Sequence, residues 1–91
     1  MMNLKEALEQ MRGKYVDIYI KHRLFDDQHI RMKFDPETEI GFGFHCKGQT
    51  IYIRDDDIIE YEIKYCKVII NGNDMTIKII KRAWQIKEDM L

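Results

Sequence analysis

The stretch Lys14-Tyr15-Val16-Asp17-Ile18-Tyr19-Ile20-Lys21 decides the fold. Val16, Ile18 and Ile20 alternate with Asp17, Tyr19 and Lys21, a period of two that sets one group on a core and the other in water. The same period recurs downstream. Ile30, Met32 and Phe34 alternate with Arg31, Lys33 and Asp35; Ile40, Phe42, Phe44 and Cys46 alternate with Gly41, Gly43, His45 and Lys47. Ile51 and Ile53 face away from Tyr52 and Arg54, and Ile59, Tyr61 and Ile63 oppose Glu60, Glu62 and Lys64. Turn chemistry separates these runs at Asp35-Pro36-Glu37-Thr38, Lys47-Gly48-Gln49, Asp55-Asp56-Asp57 and Asn71-Gly72-Asn73-Asp74. The last is a hairpin signal joining Val68–Ile70 to Met75–Ile80.

Upstream of Lys14 the period differs. Leu4, Ala7, Leu8 and Met11 fall three, four and seven residues apart, one apolar helical face. Asn3 is a suitable N-cap with Glu6 three residues on, and Gly13 supplies the stop. The chain thus reads as mainly β (α+β), with six or seven short strands in a strongly bent antiparallel meander that makes a small barrel or half-barrel. It forms a single domain, residues 1–91: helix 3–12, meander 14–65, an extra C-terminal hairpin 66–81 and a tail 82–91. Ala83, Trp84, Ile86 and Met90 fit neither period, so the conformation of the tail stays open. Gly41 and Gly43, two apart, predict sharp coiling or the close approach of another element.

Composition narrows the class. Of 91 residues, 45% are hydrophobic and 34% charged, which excludes a disordered chain. The longest apolar runs, such as Val68-Ile69-Ile70, fall far short of the ~20 residues a bilayer demands, so no membrane partner is expected. The N-terminus carries Lys5, Glu6 and Glu9 where a signal peptide needs an apolar segment, and the two cysteines form no Cys-x-x-Cys pair. A cytoplasmic protein with reduced thiols is expected, a Cys46–Cys66 bridge being the alternative.

The segment Gln49-Thr50-Ile51-Tyr52-Ile53-Arg54-Asp55-Asp56-Asp57-Ile58-Ile59-Glu60-Tyr61-Glu62-Ile63 resembles the fourth strand, one-turn helix and fifth strand of the Sm-like and SH3-like small β-barrels. Its acidic pair, two aliphatics and glutamate also resemble the C-terminal part of YolD-like bacterial proteins. The chain departs from the YolD-like pattern in having no upstream Trp-x-Pro-Phe segment, and from the barrels in its added hairpin. What the resemblance implies is a fold more than an activity.

No residue set declares an enzyme. The chain contains no serine, and Gly41-Phe42-Gly43 has neither the third glycine nor the following helix of a phosphate-binding loop. His45 and Cys46, the one close pair of zinc-ligand types, sit on a strand where neighbours face opposite sides. Asp55-Asp56-Asp57 lacks the alternating spacing of a calcium loop, and the plain reading is a solvated turn in which one aspartate caps a short helical turn. No catalytic residue, metal or cofactor is therefore assigned.

Charge distribution is more informative. Residues 1–35 carry seven basic and six acidic groups, residues 36–62 two and seven, and residues 63–91 six and three, so a net charge of −1 conceals a dipolar molecule. Two functional expectations follow. The first is a non-catalytic protein-binding module, of the kind of a phage or mobile-element inhibitor or adaptor. It would present an acidic surface to a basic partner such as a nucleic-acid enzyme. Its contacts are Asp55, Asp56, Asp57, Glu60 and Glu62, with Tyr15, Tyr19 and Tyr52 as outer-face aromatics unless the N-terminal helix covers them. The alternative is an Sm-like or single-stranded nucleic-acid binder using Lys64, Lys67, Lys78, Lys81, Arg82 and Trp84, a mixture suited to phosphate contact and base stacking. Homo-oligomerisation through an open edge strand stays open.

Overall fold

Asn3 turns an extended segment into a helix: its side-chain oxygen accepts the Glu6 N–H at 2.8 Å, satisfying a donor that a helix start leaves free. In the computed structural model, which describes residues 2–91, this helix, α1, spans Leu4–Gln10 and buries Leu4, Ala7 and Leu8, as their spacing predicts. Gly13 then takes a left-handed conformation at φ +77°, and its N–H donates to the Phe34 carbonyl at 2.8 Å.

The strands that follow are β1 (Tyr15–His22), β2 (Phe25–Lys33), β3 (Pro36–Glu37), β4 (Phe42–Cys46), β5 (Gln49–Ile53), β6 (Ile58–Lys64), β7 (Lys67–Gly72) and β8 (Met75–Lys81). A 3₁₀ turn, Asp55–Asp57, separates β5 from β6, and a second helix, α2 (Ala83–Asp89), follows β8. The chain is mainly β, all its strand pairs are antiparallel, and it carries a helix near each end.

The strands divide between two sheets, one of five in the order β2-β1-β8-β7-β6 and one of three in the order β3-β4-β5. The β7–β8 hairpin, expected beyond a finished meander, lies within the principal sheet with β8 against β1. The reason sits in β1. A strand whose Val16, Ile18 and Ile20 are all buried needs neighbours on both sides; β2 supplies one and β8 the other, with Ile18 between Ile30 and Ile79.

Register aligns Ile18, Ile79 and Val68 in one row and Ile20, Ile77 and Ile70 in the next, all on one face of the principal sheet. Onto this face pack Leu4, Ala7, Leu8 and Met11 from the α1 segment, together with Phe34, Phe44 and Ile53. The rings of Phe34 and Phe44 meet at 6.1 Å, joining the small sheet to the large one. Helix α1 therefore lies on the face opposite Tyr15 and Tyr19, which stay open to solvent.

Three local readings change, and a fourth, left open, is settled. Ile40 is 83% exposed, because the Glu37 carboxylate accepts the Glu39 and Ile40 N–H groups and holds them in a turn, so that β4 begins only at Phe42. A bulge between Ile58 and Glu60 interrupts the alternation and leaves Ile59 67% exposed. The acidic turn forms, but Arg54 occupies its N-cap position and no side chain caps it. The tail is helical: its buried residue is Gln85, whose Oε1 accepts the Tyr15 N–H at 3.1 Å. Cys46 and Cys66 are free, half-buried thiols.

Two ion clusters fasten the helices. Asp89 accepts from Lys14 and Lys81, each at 2.8 Å, and from Gln85, tying α2 to β8 and to the entry of β1. Hydrogen bonds from Lys14 and Lys81 hold its carboxyl down at about 2, and those from Arg12 and Thr38 hold Glu9 at about 2. A carboxyl whose pKa is lowered by folding stabilises the fold above its unfolded value and loses that contribution as pH falls through its folded value. Thermal midpoints are therefore expected to hold from neutral pH down to the ordinary carboxyl values of 3.8 and 4.5, then fall towards pH 2. The fall is modest, because exposed ion pairs contribute little each. Asp89→Asn should lower the midpoint at pH 7 and flatten the acid limb; a variant with an unchanged acid limb would remove Asp89 from this role.

Candidate functional site

Because α1 and the small sheet cover one face of the principal sheet, the other presents complete cross-strand rows to solvent. The middle row reads His29, Tyr19, Lys78, Ile69 and Glu62, one residue from each of the five strands. Beside it run Arg31, Asp17, Ile80, Lys67 and Lys64, and on its other side Lys21, Thr76, Asn71 and Glu60. Basic groups occur on every strand of this face; the carboxylates of these rows are Glu60 and Glu62 on β6 and Asp17 on β1.

Several of these side chains are already engaged. Tyr19 stacks on His29 with ring centroids 4.5 Å apart, and Asp17 accepts from both His29 Nε2 and Arg31 Nε at 2.8 Å. Burial would raise the Asp17 carboxyl, but the His29 and Arg31 hydrogen bonds outweigh it and hold the group below its usual range. Tyr15 packs on Trp84 at 5.1 Å. Over β8, between Tyr19 and Ile69, lies a shallow concavity of about 690 Å³ that Lys21, Lys78 and Ile80 also line.

The acidic residues collect where the sheet ends. Glu60 and Glu62 stand on the solvent face of β6; Glu60 accepts from Asn71 Nδ2 at 3.2 Å, and Glu62 lies 3.7 Å from Lys64. The Asp55–Asp57 turn leads directly into β6, and the Asp57 carbonyl accepts the Asn73 N–H, seating the turn on the β7–β8 hairpin. Asp56 has Arg54 at 3.5 Å. The five acidic residues anticipated as a contact surface thus belong to one edge. Tyr15 and Tyr19 lie on β1, separated from β6 by β8 and β7, and Tyr52 is exposed on β5 of the other sheet, so the tyrosines do not join the acidic edge.

The anticipated basic set is also divided. Lys64, Lys67 and Lys78 share the solvent face of the principal sheet, but Lys81 is paired with Asp89 and Arg82 stands apart at the N-cap position of α2, where its side chain makes no capping bond. Trp84 lies in the first turn of α2 against Tyr15. Residues that the alternation alone did not single out include Ile59, exposed by the bulge, and Ile69 and Ile80, apolar side chains on the solvent face.

Among the described residues no three His, Cys, Asp or Glu side chains gather as a metal-binding group, and no helix is long and apolar enough to cross a membrane. Comparisons with protein-family models, curated proteins and solved structures find no match to this chain.

Proposed function

We propose that the protein is a non-catalytic interaction module that binds a basic partner protein through the acidic edge of its principal sheet. The observation that carries this reading is at β6. This outermost strand exposes Ile59 and Tyr61 beside Glu60 and Glu62, and the Asp55–Asp57 turn leads into it. Apolar contact area combined with one sign of charge suits a specific partner of the opposite sign, with charge raising the association rate and excluding wrong partners. A cytoplasmic inhibitor or adaptor acting on a nucleic-acid enzyme belongs to this class, since an acidic edge can compete for a groove built for phosphate.

A second reading, single-stranded nucleic-acid binding, draws support from the Tyr19–His29 stack beside Lys78 on the solvent face. It is weakened by the pairing of Lys81 and by the carboxylates on the same face.

Affinity capture from a lysate, with and without nuclease, separates the two. The proposed function predicts one defined protein partner, retained after nuclease and lost when Asp55, Asp56 and Asp57 are changed together to lysine. That variant should melt close to the wild-type temperature, because all three lie on an exposed or half-exposed turn. Recovery of RNA or DNA that disappears with nuclease, or an unchanged partner with the triple variant, would overturn the proposal.

A further inference from the structure

Resting on that reading, we infer that β6 recruits its partner by strand addition: an extended segment of the partner protein, alternating apolar and basic residues, pairs with the free edge of β6. Strand β6 hydrogen-bonds to β7 on one side only and ends the sheet. Outside that pairing, no backbone hydrogen bond among the described residues involves residues 59–64. A row of unpaired N–H and C=O groups is a template for another strand, and proteins usually blunt such edges with lysine, proline, a bulge or a covering element. Here the bulge lies at the start of the strand and the one lysine, Lys64, at its end. Between them Glu60, Tyr61, Glu62 and Ile63 continue a regular ladder with Asn71, Ile70, Ile69 and Val68.

The two faces of this edge ask for different side chains. Tyr61 and Ile63 stand opposite buried Ile70 and Val68, so they belong to the core face, yet Tyr61 stays 43% exposed because no strand lies beyond it. Next to Tyr61 a concavity of about 490 Å³ is lined by Ile59, Phe42 and Leu4, with Asn3 and Lys5 at the start of α1. Apolar side chains of an added strand would fill it, extending the core by one strand. On the opposite face the neighbours would be Glu60 and Glu62, and cross-strand pairs of opposite charge are favourable where like charges are not. The occupant is therefore a basic strand of a different protein. A second copy in the antiparallel register that overlaps all of Ile58–Lys64 would set Glu60 against Glu62 twice. Main-chain bonds would give such a complex its affinity and alternate side chains its specificity.

The test uses the full chain, isotope-labelled for amide spectra, and three capped seven-residue probes of lysine and valine. The probes are an alternating peptide, a scrambled peptide of the same composition, and the alternating peptide N-methylated on the edge it offers to β6. The alternating peptide should shift amides of β6 and β7 and protect β6 amides from exchange. Scrambling or N-methylation should each weaken binding at least about tenfold, as should Glu60→Lys with Glu62→Lys, a change at two exposed positions. Equal binding of all three peptides at the acidic turn would overturn strand addition while leaving an acidic docking surface in place. Absence of shifts with millimolar alternating peptide would overturn strand addition outright, and self-association through β6 seen by light scattering would replace the basic partner with a second copy. Failure of the broader reading shows separately, as the lack of a nuclease-resistant protein partner.

Discussion

Gly43→Ala is expected to destabilise the protein by about 3 kcal/mol or more, in urea unfolding monitored by circular dichroism. Gly43 lies in β4 and is paired with Glu37 on one side and Tyr52 on the other. A methyl group there would fall on the Ile51 carbonyl oxygen, with the Ile51 carbonyl carbon and the Tyr52 Cα each 3.1 Å away. All three atoms are backbone, so no rotamer change relieves the overlap and β4 must move away from β5. Overpacking usually costs about 1–3 kcal/mol even where side chains can yield, and more where backbone must shift. Gly41→Ala is the matched control: its added methyl meets nothing within 4 Å, and a change within about 0.5 kcal/mol is expected. A Gly43→Ala protein as stable as the Gly41→Ala one would mean that the two strands are not held this close.

Phe34→Ala should cost about 3–5 kcal/mol, the range for removing a large buried aromatic. Phe34 is 1% exposed and follows β2, where the chain leaves the large sheet for the small one. Its ring packs on Phe44, its N–H donates to the Lys14 carbonyl at 2.8 Å, and its own carbonyl accepts from Gly13. Truncation therefore opens a cavity where α1, the small sheet and β1 meet. Total stability for 91 residues is on the order of 5–14 kcal/mol, so this loss would lower the thermal midpoint by ~12 °C or more. Phe25→Ala, at a ring 70% exposed, is expected to change stability by about 0.5 kcal/mol or less. Similar midpoints for the two variants would remove Phe34 from the core.

What could be read in the sequence is what local physics determines. The inward faces of β1, β7 and β8, the helix behind Asn3 and the turn between β7 and β8 all follow from residues within a few positions of one another, although the helix ends at Gln10 with its cap at Met11, ahead of Gly13. The order of strands does not, because nothing near Met75–Lys81 records that its partner is Tyr15–His22. The acidic edge is only half legible for the same reason. Alternation marks Glu60 and Glu62 as a wet face, but that β6 ends the sheet depends on β8 having paired with β1. Alternation groups Tyr52 with Tyr15 and Tyr19, because it tells which face of a strand is wet, not which sheet holds the strand. The sequence leaves the tail open because the buried residue of α2 is Gln85, a polar side chain that bonds the Tyr15 backbone and marks no apolar stripe.

The place of β8 beside β1 also bears on how the molecule assembles. Val16 meets Lys81 and His22 meets Met75, so the central ladder of the sheet joins segments separated by most of the chain. Such contacts are entropically costly to close and slow folding relative to local hairpins. The β1–β2 and β7–β8 hairpins can form early, each from neighbouring residues, and then dock along one seam. Until that seam closes, Val16, Ile18 and Ile20 have no partner on the β8 side. A folding intermediate would be a pair of hairpins whose shared apolar faces are wet, and that seam is where aggregation during refolding would begin.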